Sequence, residues 1–283
     1  MNPSREALET DRIRDLRTPP EFAMEPMANI ALRAARLAGK QIVRGFDRPD
    51  LVDIDSKGHN DLVTNIDREA EQIVIDTLRE KYPDHKITGE ESGSTDNASD
   101  FEWVIDPLDG TMNFSRQIPH FCVSIACLHK GRVEHAVVID PIREEEFVAS
   151  RGKGASLNGK RIRANGLDSF DGAVIATGGR SRHEHADKES AVYEHLLKSH
   201  AVTRQPGSAA LELAYIAAGR IDGMWMRGLA RWDIAAGALL VTEAGGLMGD
   251  FAGGANYMQT GNTVAGSPKV FKLLSQLVRK HLA

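Results

Sequence analysis

The sequence contains few cysteines, no long apolar run and no strong excess of one charge. Only Cys122 and Cys127 occur among its 283 residues, and their spacing within the β-prone run FCVSIACL places them on opposite faces of a strand, which argues against a disulfide between them. We expect both to be reduced core residues. No uncharged apolar run reaches the ~20 residues that span a bilayer, and the first two dozen residues lack the apolar stretch of a signal peptide. We therefore expect a cytoplasmic protein with no membrane contact.

Neither sign of charge dominates the composition. Lys and Arg total 35 against 40 for Asp and Glu, which gives a formal net charge of −5. This balance excludes a protein whose whole surface attracts nucleic acid, and we expect no direct DNA binding. The ordinary apolar and charged content indicates instead a globular protein with one large or two modest domains.

The chain divides into an extension and two halves. Residues 1–24 mix Arg, Glu and Asp with three prolines and show no periodicity, which predicts a disordered extension. Residues 25–155 begin with two amphipathic helical patterns, the second opened by a capping signal at Thr64, and continue with β-prone runs separated by turn dipeptides. This order predicts an α+β half with a largely antiparallel sheet. In residues 156–283 strands alternate with helices, which predicts an α/β half.

The stretch FEWVIDPLDGTMNF, residues 101–114, carries the strongest chemical signal. A short apolar run delivers Asp106 to the end of a buried strand, and the chain then turns, so that Asp106 and Asp109 both lie at the strand's exit. Gly110 and Thr111 can begin a helix whose free N–H groups point to the same place. Carboxylates for cations beside amides for an anion indicate a divalent metal together with a phosphate.

Three further acids stand at the ends of predicted elements. Asp67 lies in the first turn of the second helix, Glu90 follows a short strand, and Asp233 opens an Ala-rich helix. Taken alone, each has an ordinary explanation, since Asp67 complements the helix dipole, Glu90 is a solvated turn residue and Asp233 caps its helix. Together with Asp106 and Asp109, however, Glu90 and Asp233 form an all-oxygen set that suits Mg²⁺ or Mn²⁺. No Cys or His spacing indicates zinc.

Four ordered motifs resemble those of the inositol monophosphatase family of Mg²⁺-dependent, lithium-inhibited phosphatases. They are DLVTNID at 61–67, GEES at 89–92, DPLDGTMNF at 106–114 and WDIAAG at 232–237. The resemblance extends from residue 26 to the C-terminus, and within the family the chain looks most like the bacterial SuhB type. It implies the family's fold, a layered α-β-α-β-α sandwich similar to that of fructose bisphosphatase, with most metal ligands in the first half and the last one in the second.

The resemblance also implies the ligands of the metal ions. Glu90, Asp106 and the backbone carbonyl of Leu108 would hold a first Mg²⁺. Asp106, Asp109 and Asp233 would hold a second, so that Asp106 bridges the two ions. A third, weaker Mg²⁺ near Glu90 is a family feature. We therefore expect two to three ions in the active site, with Mn²⁺ as an alternative ion.

Catalytic and substrate-binding roles follow from the same resemblance. Thr111 and Asp67 would orient the attacking water and take its proton, beside the catalytic metal ligand Glu90. The residues expected to contact the substrate come from both halves of the chain, and they are Asp109, Gly110, Thr111, Gly207, Ser208, Ala209 and Asp233.

Met226 stands where the family has a glutamate that contacts the hydroxyl groups of the substrate ring. A thioether does not replace the two acceptors of a carboxylate, so selectivity for inositol is expected to weaken or to shift toward another polyol or sugar. The expected reaction is hydrolysis of inositol-1-phosphate or a related polyol or sugar phosphate. Phosphatases of phosphoadenosine nucleotides, fructose bisphosphate or histidinol phosphate, which have related folds, are alternatives.

A non-enzymatic role is a further alternative. SuhB-like proteins also act in transcription antitermination, which implies contacts with the transcription machinery. The segments Arg161–Arg163 and Arg180–Arg182 are candidates for such contacts, although scattered surface arginines explain them more simply. Family members are commonly dimers, so we expect a homodimer.

Overall fold

The structure is a computed structural model that describes residues 24–58, 61–179 and 185–283. Residues 1–23 of the predicted extension and the segment Arg180–Arg182 lie outside the described residues. The described strands pair into two main sheets and a short hairpin, and helices pack against both faces of each main sheet. The result is the layered α-β-α-β-α arrangement that the family resemblance implies. None of the described helices is long and apolar enough to cross a membrane.

The helices, in chain order, are α1 (Pro26–Asp47), α2 (Asn65–Lys81), α3 (Thr111–Ser115), α4 (Ala186–Lys198), α5 (Ala209–Ala217), α6 (Arg231–Glu243), α7 (Tyr257–Thr260) and α8 (Pro268–Leu282). The hairpin consists of β1 (Ile54–Gly58) and β2 (Asp61–Thr64). The first sheet consists of β3 (Lys86–Gly89), β4 (Gly93–Ser94), β5 (Phe101–Asp109), β6 (Cys122–His129), β7 (Arg132–Asp140), β8 (Glu145–Ser150), β9 (Gly154–Leu157) and β10 (Lys160–Arg161). The second sheet consists of β11 (Val174–Gly179), β12 (Val202–Arg204), β13 (Gly223–Arg227), β14 (Leu247–Gly249) and β15 (Thr263–Gly266).

The first sheet has the order β10-β9-β8-β7-β6-β5-β3-β4. Its pairs are antiparallel apart from β3 and β5, which run parallel. The dipeptides Lys130-Gly131 and Asn158-Gly159 connect two of the hairpins, and all four residues have positive φ. Two-residue hairpin loops favour this left-handed conformation because its twist matches that of the strands. The first sheet is therefore largely antiparallel.

Both faces of the first sheet are buried, which explains its nearly continuous apolar strands. Trp103 and Cys127 belong to the core cluster that packs against α1 and α2. Val104 and Cys122 belong to the cluster on the opposite face, which packs against α5 and α6. The two cysteines are buried, free and on opposite faces, as the sequence predicts.

Helices α5 and α6 form the middle layer between the two sheets. They approach closely at Gly237, where an added Cβ atom would lie 2.4 Å from the Cβ of Leu213. The second sheet, of order β12-β11-β13-β15-β14, packs against α5 on one face and against α8 on the other. The close packing of α5 and α6 brings their N-terminal ends to the same side of the molecule as the end of β5, where the acidic motif lies.

Three features differ from the sequence-based expectation. The polar composition of residues 56–61 predicts a loop, but residues 56–58 continue β1 and pair with β2, since polar side chains do not prevent a solvent-facing hairpin from forming. Strand β14 and helix α7 are too short to produce a periodic signal. The first sheet extends to Arg161 through β10, so we propose that the boundary between the halves lies after Arg161 rather than at residue 155.

Candidate active site

The predicted site residues line one cavity of about 550 Å³ between the two halves of the fold. The end of β5 and the first residues of α3 form one wall, while the N-terminal ends of α5 and α6 and the ends of β11 and β13 form the other. The sequence-predicted residues that line it are Glu90, Asp106, Leu108, Asp109, Gly110, Thr111, Gly207, Ser208, Ala209, Met226 and Asp233. Asp67 lies behind this wall and contacts it through Thr111.

A β-bulge places two acids of β5 at the cavity. Asp106 pairs with Ser124 of β6, whereas Asp109 pairs with Cys122, so three steps along β5 correspond to two along β6. One extra residue in a strand bends it and changes the direction of its side chains. Carboxylate oxygens of Asp106, Asp109 and Asp233 consequently lie within 4.8 Å of one another.

Asp106 is the most deeply buried member of this acidic cluster. Its side chain is 1% exposed, and its Oδ1 accepts a hydrogen bond of 3.0 Å from the Leu108 amide. Burial, followed by the negative charges of Glu90, Asp109 and Asp233, raises the pKa of Asp106 well above its usual value. Buried acids that repel one another are stabilised by a divalent cation with oxygen ligands, so these residues fit Mg²⁺ or Mn²⁺.

Asp109 and Asp233 are held by backbone amides at helix starts. Oδ2 of Asp109 accepts hydrogen bonds from the Ser208 hydroxyl at 2.8 Å and from the Ala210 amide at 2.7 Å. Burial nevertheless raises the pKa of Asp109, because these hydrogen bonds offset the desolvation only in part. Oδ2 of Asp233 accepts from the Ala230 amide at 2.7 Å. Ala230 is the N-cap of α6 and Asp233 its third residue, so Asp233 satisfies the N-cap amide and is not itself the N-cap that the sequence suggests. Capping and membership of the acidic cluster therefore coexist in Asp233.

Asp67 and Thr111 form a hydrogen-bonded pair beside the acidic cluster. The Thr111 hydroxyl lies 2.9 Å from Oδ1 of Asp67 and 3.0 Å from the Leu108 carbonyl oxygen. Oδ2 of Asp67 accepts from the amide and the hydroxyl of Thr64, which completes a capping box at the start of α2. Burial raises the pKa of Asp67 despite these donors. Asp67 thus both caps its helix and holds the Thr111 hydroxyl.

Glu90 follows β3 and lines the cavity next to the three-acid cluster. Its amide donates a hydrogen bond of 3.2 Å to the carbonyl oxygen of Ile105. Since Ile105 directly precedes Asp106, this bond fixes the backbone of Glu90 beside Asp106. The parallel pairing of β3 and β5 aligns Gly89 with Ile105. Glu90 and Asp106 are separated in the sequence, but this pairing brings them together because β3 and β5 are neighbouring strands.

Two adjacent side chains of β13 point in opposite directions. Met226 is 2% exposed and lines the cavity. Arg227 lies on the other face of the strand, where its Nε is 3.2 Å from Oε1 of Glu189 and its guanidinium lies 5.1 Å from the centre of the Phe251 ring. Met226, which stands where the family has a glutamate, therefore faces the cavity, whereas Arg227 does not.

Three residues that support the site are not among those predicted from the sequence. Nδ2 of Asn113 donates to the carbonyl oxygens of His120 and Pro206, each at 2.8 Å, and so ties α3 to the segment before Gly207. Glu71 and Glu212 are buried carboxylates on α2 and α5 that accept backbone amide hydrogens. Glu71 and Glu212 can be recognised in the sequence as acids within the apolar stripe of a helix. A carboxylate at such a position is buried and therefore needs hydrogen-bond partners in the folded state.

Glu212 fixes the turn that precedes α5. Its Oε1 accepts hydrogen bonds from the amides of Gly207 at 3.0 Å and Ser208 at 3.2 Å. Its Oε2 is buried and has no hydrogen-bond partner within the described part of the chain. Burial raises the pKa of Glu212 to about 8.

Replacement of Glu212 by Gln is expected to change how stability depends on pH. The folded protein keeps this carboxyl protonated up to about pH 8, whereas an unfolded chain releases the proton near pH ~4.3. The free energy of unfolding of the wild type therefore falls relative to that of Glu212→Gln as the pH rises through this window. Urea unfolding at about pH 5 and about pH 9 is expected to show a relative change of at least about 1 kcal/mol. An equal difference at both pH values would contradict this assignment.

Comparisons with known proteins agree with this fold. A model of the inositol monophosphatase family matches residues 23–283. The chain is 50% identical to the Nus factor SuhB of Pseudomonas aeruginosa over 265 residues, which cover 92% of this chain and 98% of that protein.

Solved structures give the same result. The extragenic suppressor protein SuhB from Bartonella henselae aligns with a TM-score of 0.87 and 36% identity, covering 90% of this chain and 98% of that one. The Thermotoga maritima IMPase aligns with a TM-score of 0.82 and 34% identity, covering 90% and 97%. These matches confirm the resemblance that the four motifs indicate. The chain belongs to the inositol monophosphatase family.

Proposed function

We propose that the protein is a Mg²⁺-dependent phosphomonoesterase that hydrolyses inositol-1-phosphate or a related polyol or sugar phosphate. The observation that carries this proposal is the meeting of three carboxylates within 4.8 Å of one another, next to Glu90 and to the hydrogen-bonded pair Thr111 and Asp67. Membership of a phosphatase family supports it.

The cavity residues divide into two sets of metal ligands. We assign Glu90, Asp106 and the carbonyl oxygen of Leu108 to a first Mg²⁺. Asp106, Asp109 and Asp233 are assigned to a second, and Glu90 is also available to a weaker third ion. When bound, such cations supply an acidified water and neutralise phosphate charge. Mn²⁺ suits the same oxygen ligands, and competition by Li⁺ is a family property that we extend to this chain.

Thr111 and Asp67 act on the attacking water. The Thr111 hydroxyl donates its single proton toward Asp67 or the Leu108 carbonyl, so its lone pairs are available to accept a hydrogen bond from water. This orients the water oxygen toward the phosphate. The raised pKa of Asp67 makes this carboxylate a better proton acceptor than an exposed aspartate.

The phosphate and its alcohol contact opposite walls of the cavity. In this proposal the amides of Gly110 and Thr111, at the start of α3, donate hydrogen bonds to phosphate oxygens. The alcohol then faces Gly207, Ser208 and Ala209. The Ser208 hydroxyl donates to Asp109, so this side chain positions a metal ligand. Only the backbone of Ser208 then faces the substrate.

Phosphate release from inositol-1-phosphate tests the proposed reaction. We expect turnover that requires Mg²⁺ and falls at least about a thousandfold in Asp233→Asn, because this change removes a charged metal ligand. Asp76→Asn, which alters an exposed acid of α2 bonded to Gln72, serves as the matched control and is expected to retain full activity. Undiminished phosphate release in EDTA would refute the proposal.

Met226→Glu tests the predicted contact with the substrate ring. A carboxylate at this position of the cavity wall is expected to accept hydrogen bonds from ring hydroxyls and to raise kcat/KM for inositol-1-phosphate about tenfold. Met226→Leu, which keeps the wall apolar, is the control and is expected to give no gain. If the glutamate variant also gives no gain, Met226 does not contact the ring.

Contact with the transcription machinery is a second candidate function. It is favoured by 50% identity to a protein named Nus factor SuhB, over nearly the whole length of both chains. The two functions are compatible because the acidic cavity occupies one side of the fold and leaves other surfaces for a partner.

Complementation separates the two functions. In a Pseudomonas aeruginosa strain that lacks its own SuhB, we expect the wild-type chain and the Asp106→Asn variant to restore the phenotype equally, although the variant releases no phosphate. Failure of the wild-type chain would contradict the second function. Failure of the variant alone would assign the phenotype to the acidic cavity.

A further inference from the structure

Glu71 is a buried acid outside the set of expected site residues. It lies four residues after Asp67, so both side chains are on the same face of α2. Its side chain is only 3% exposed. Oε1 accepts a hydrogen bond of 2.9 Å from the Glu91 amide, and Oε2 accepts one of 2.8 Å from the Ser92 amide. Both oxygens of this carboxylate are thus used to hold the turn that follows Glu90.

Gly89 leaves the space that this carboxylate occupies. A Cβ atom at position 89 would lie 2.1 Å from Oε1 of Glu71 and 2.6 Å from its Cδ. The backbone therefore approaches the carboxylate so closely that only glycine fits without rearrangement. This contact explains the glycine at the last position of β3, where the residue still pairs with Ile105 of β5.

The amides of residues 90, 91 and 92 all have acceptors. The Glu90 amide donates to the Ile105 carbonyl oxygen at 3.2 Å, and the next two amides donate to Glu71. One anchor comes from β5, which also carries Asp106. The other comes from α2, which also carries Asp67. The backbone of Glu90 is consequently fixed from both sides relative to the acidic cluster.

We propose that Glu71 is the positioning residue for Glu90, and that it sets the affinity of the first metal site without binding the metal itself. This inference rests on the proposed function, because it assigns a role toward the cation that Glu90 is expected to hold. Carboxylates that orient a metal ligand by hydrogen bonding contribute strongly to metal affinity. Helix α2 then controls two parts of the site, the Thr111 hydroxyl through Asp67 and the Glu90 backbone through Glu71.

Glu71→Gln is the sharpest variant because glutamine has the same shape as glutamate. Its amide offers one acceptor and one NH₂ group, so one of the two backbone amides would face a donor instead of an acceptor. Glu71→Asp keeps both acceptors but is one methylene shorter, and an intermediate effect is expected. Glu69→Gln is the matched control, since Glu69 lies on the exposed face of the same helix and bonds to Gln41.

The first measurement is the concentration of Mg²⁺ that gives half-maximal phosphate release. We expect it to rise about 10- to 100-fold in Glu71→Gln, while kcat at saturating Mg²⁺ stays within about threefold of the wild-type value. The second measurement is calorimetric titration with Mn²⁺ in the absence of substrate, which is expected to show the same loss of affinity. Glu69→Gln is expected to match the wild type in both.

Three results would overturn this role. One is unchanged Mn²⁺ affinity in Glu71→Gln. Another is a loss of thermal stability in EDTA without any change in the Mg²⁺ requirement, since that indicates a purely structural contact. The third needs no variant: the amides of Glu91 and Ser92 in the wild type are expected to exchange slowly with deuterium, and fast exchange would show that Glu71 does not hold them. If the wild type itself binds no Mn²⁺, the proposed function fails first.

Discussion

Repulsion among buried and half-buried carboxylates is the constraint on which the rest of this structure depends. Asp106, Asp109 and Asp233 present oxygens within 4.8 Å of one another, and the charge of Glu90 adds to the electrostatic cost at Asp106. Such a cluster is stable only if the surrounding fold holds each group in place or if cations neutralise it. The bulge in β5, the packing of α5 against α6 and the parallel pairing of β3 with β5 each deliver or hold one of these acids.

The fold holds these acids mainly with backbone amides. Asp109 accepts from Ala210, Asp233 from Ala230 and Asp67 from Thr64, and in each case the amide lies at or near a helix start. Free N–H groups at helix starts favour negative charge and need acceptors. The same carboxylates therefore satisfy backbone amides at helix starts and form the candidate active site.

Strand ends and helix starts were predictable from the sequence because their signals are local. The apolar run before Asp106, the capping signal at Thr64 and the turn dipeptide Asn158-Gly159 each indicate the element that the structure contains. The family motifs added the expectation that distant acids meet, which periodicity alone does not provide. Taken locally, Asp67 complements the helix dipole and Asp233 is an N-cap. The structure places each at the third residue of its helix, where it accepts a hydrogen bond from the N-cap amide. Asp67 also bonds to Thr111, and Asp233 also belongs to the acidic cluster.

Supporting residues were less predictable because their partners are distant in sequence. Glu71 holds amides 20 and 21 residues away, and Asn113 reaches a carbonyl 93 residues away. The one available sign was an acid among apolar helix positions, which marks a buried polar group without naming its partner. The direction of Met226 into the cavity likewise depends on the register of β13, which turn residues do not fix.

Anomalous diffraction from crystals grown with Mn²⁺ tests the central claim most directly, because it locates the cations without relying on turnover. We expect two peaks in the cavity between β5 and α6, both in contact with Asp106, one shared with Glu90 and the other with Asp109 and Asp233. Mn²⁺ bound elsewhere on the protein, with no peak among these acids, would contradict the two-cation site and the reaction that depends on it.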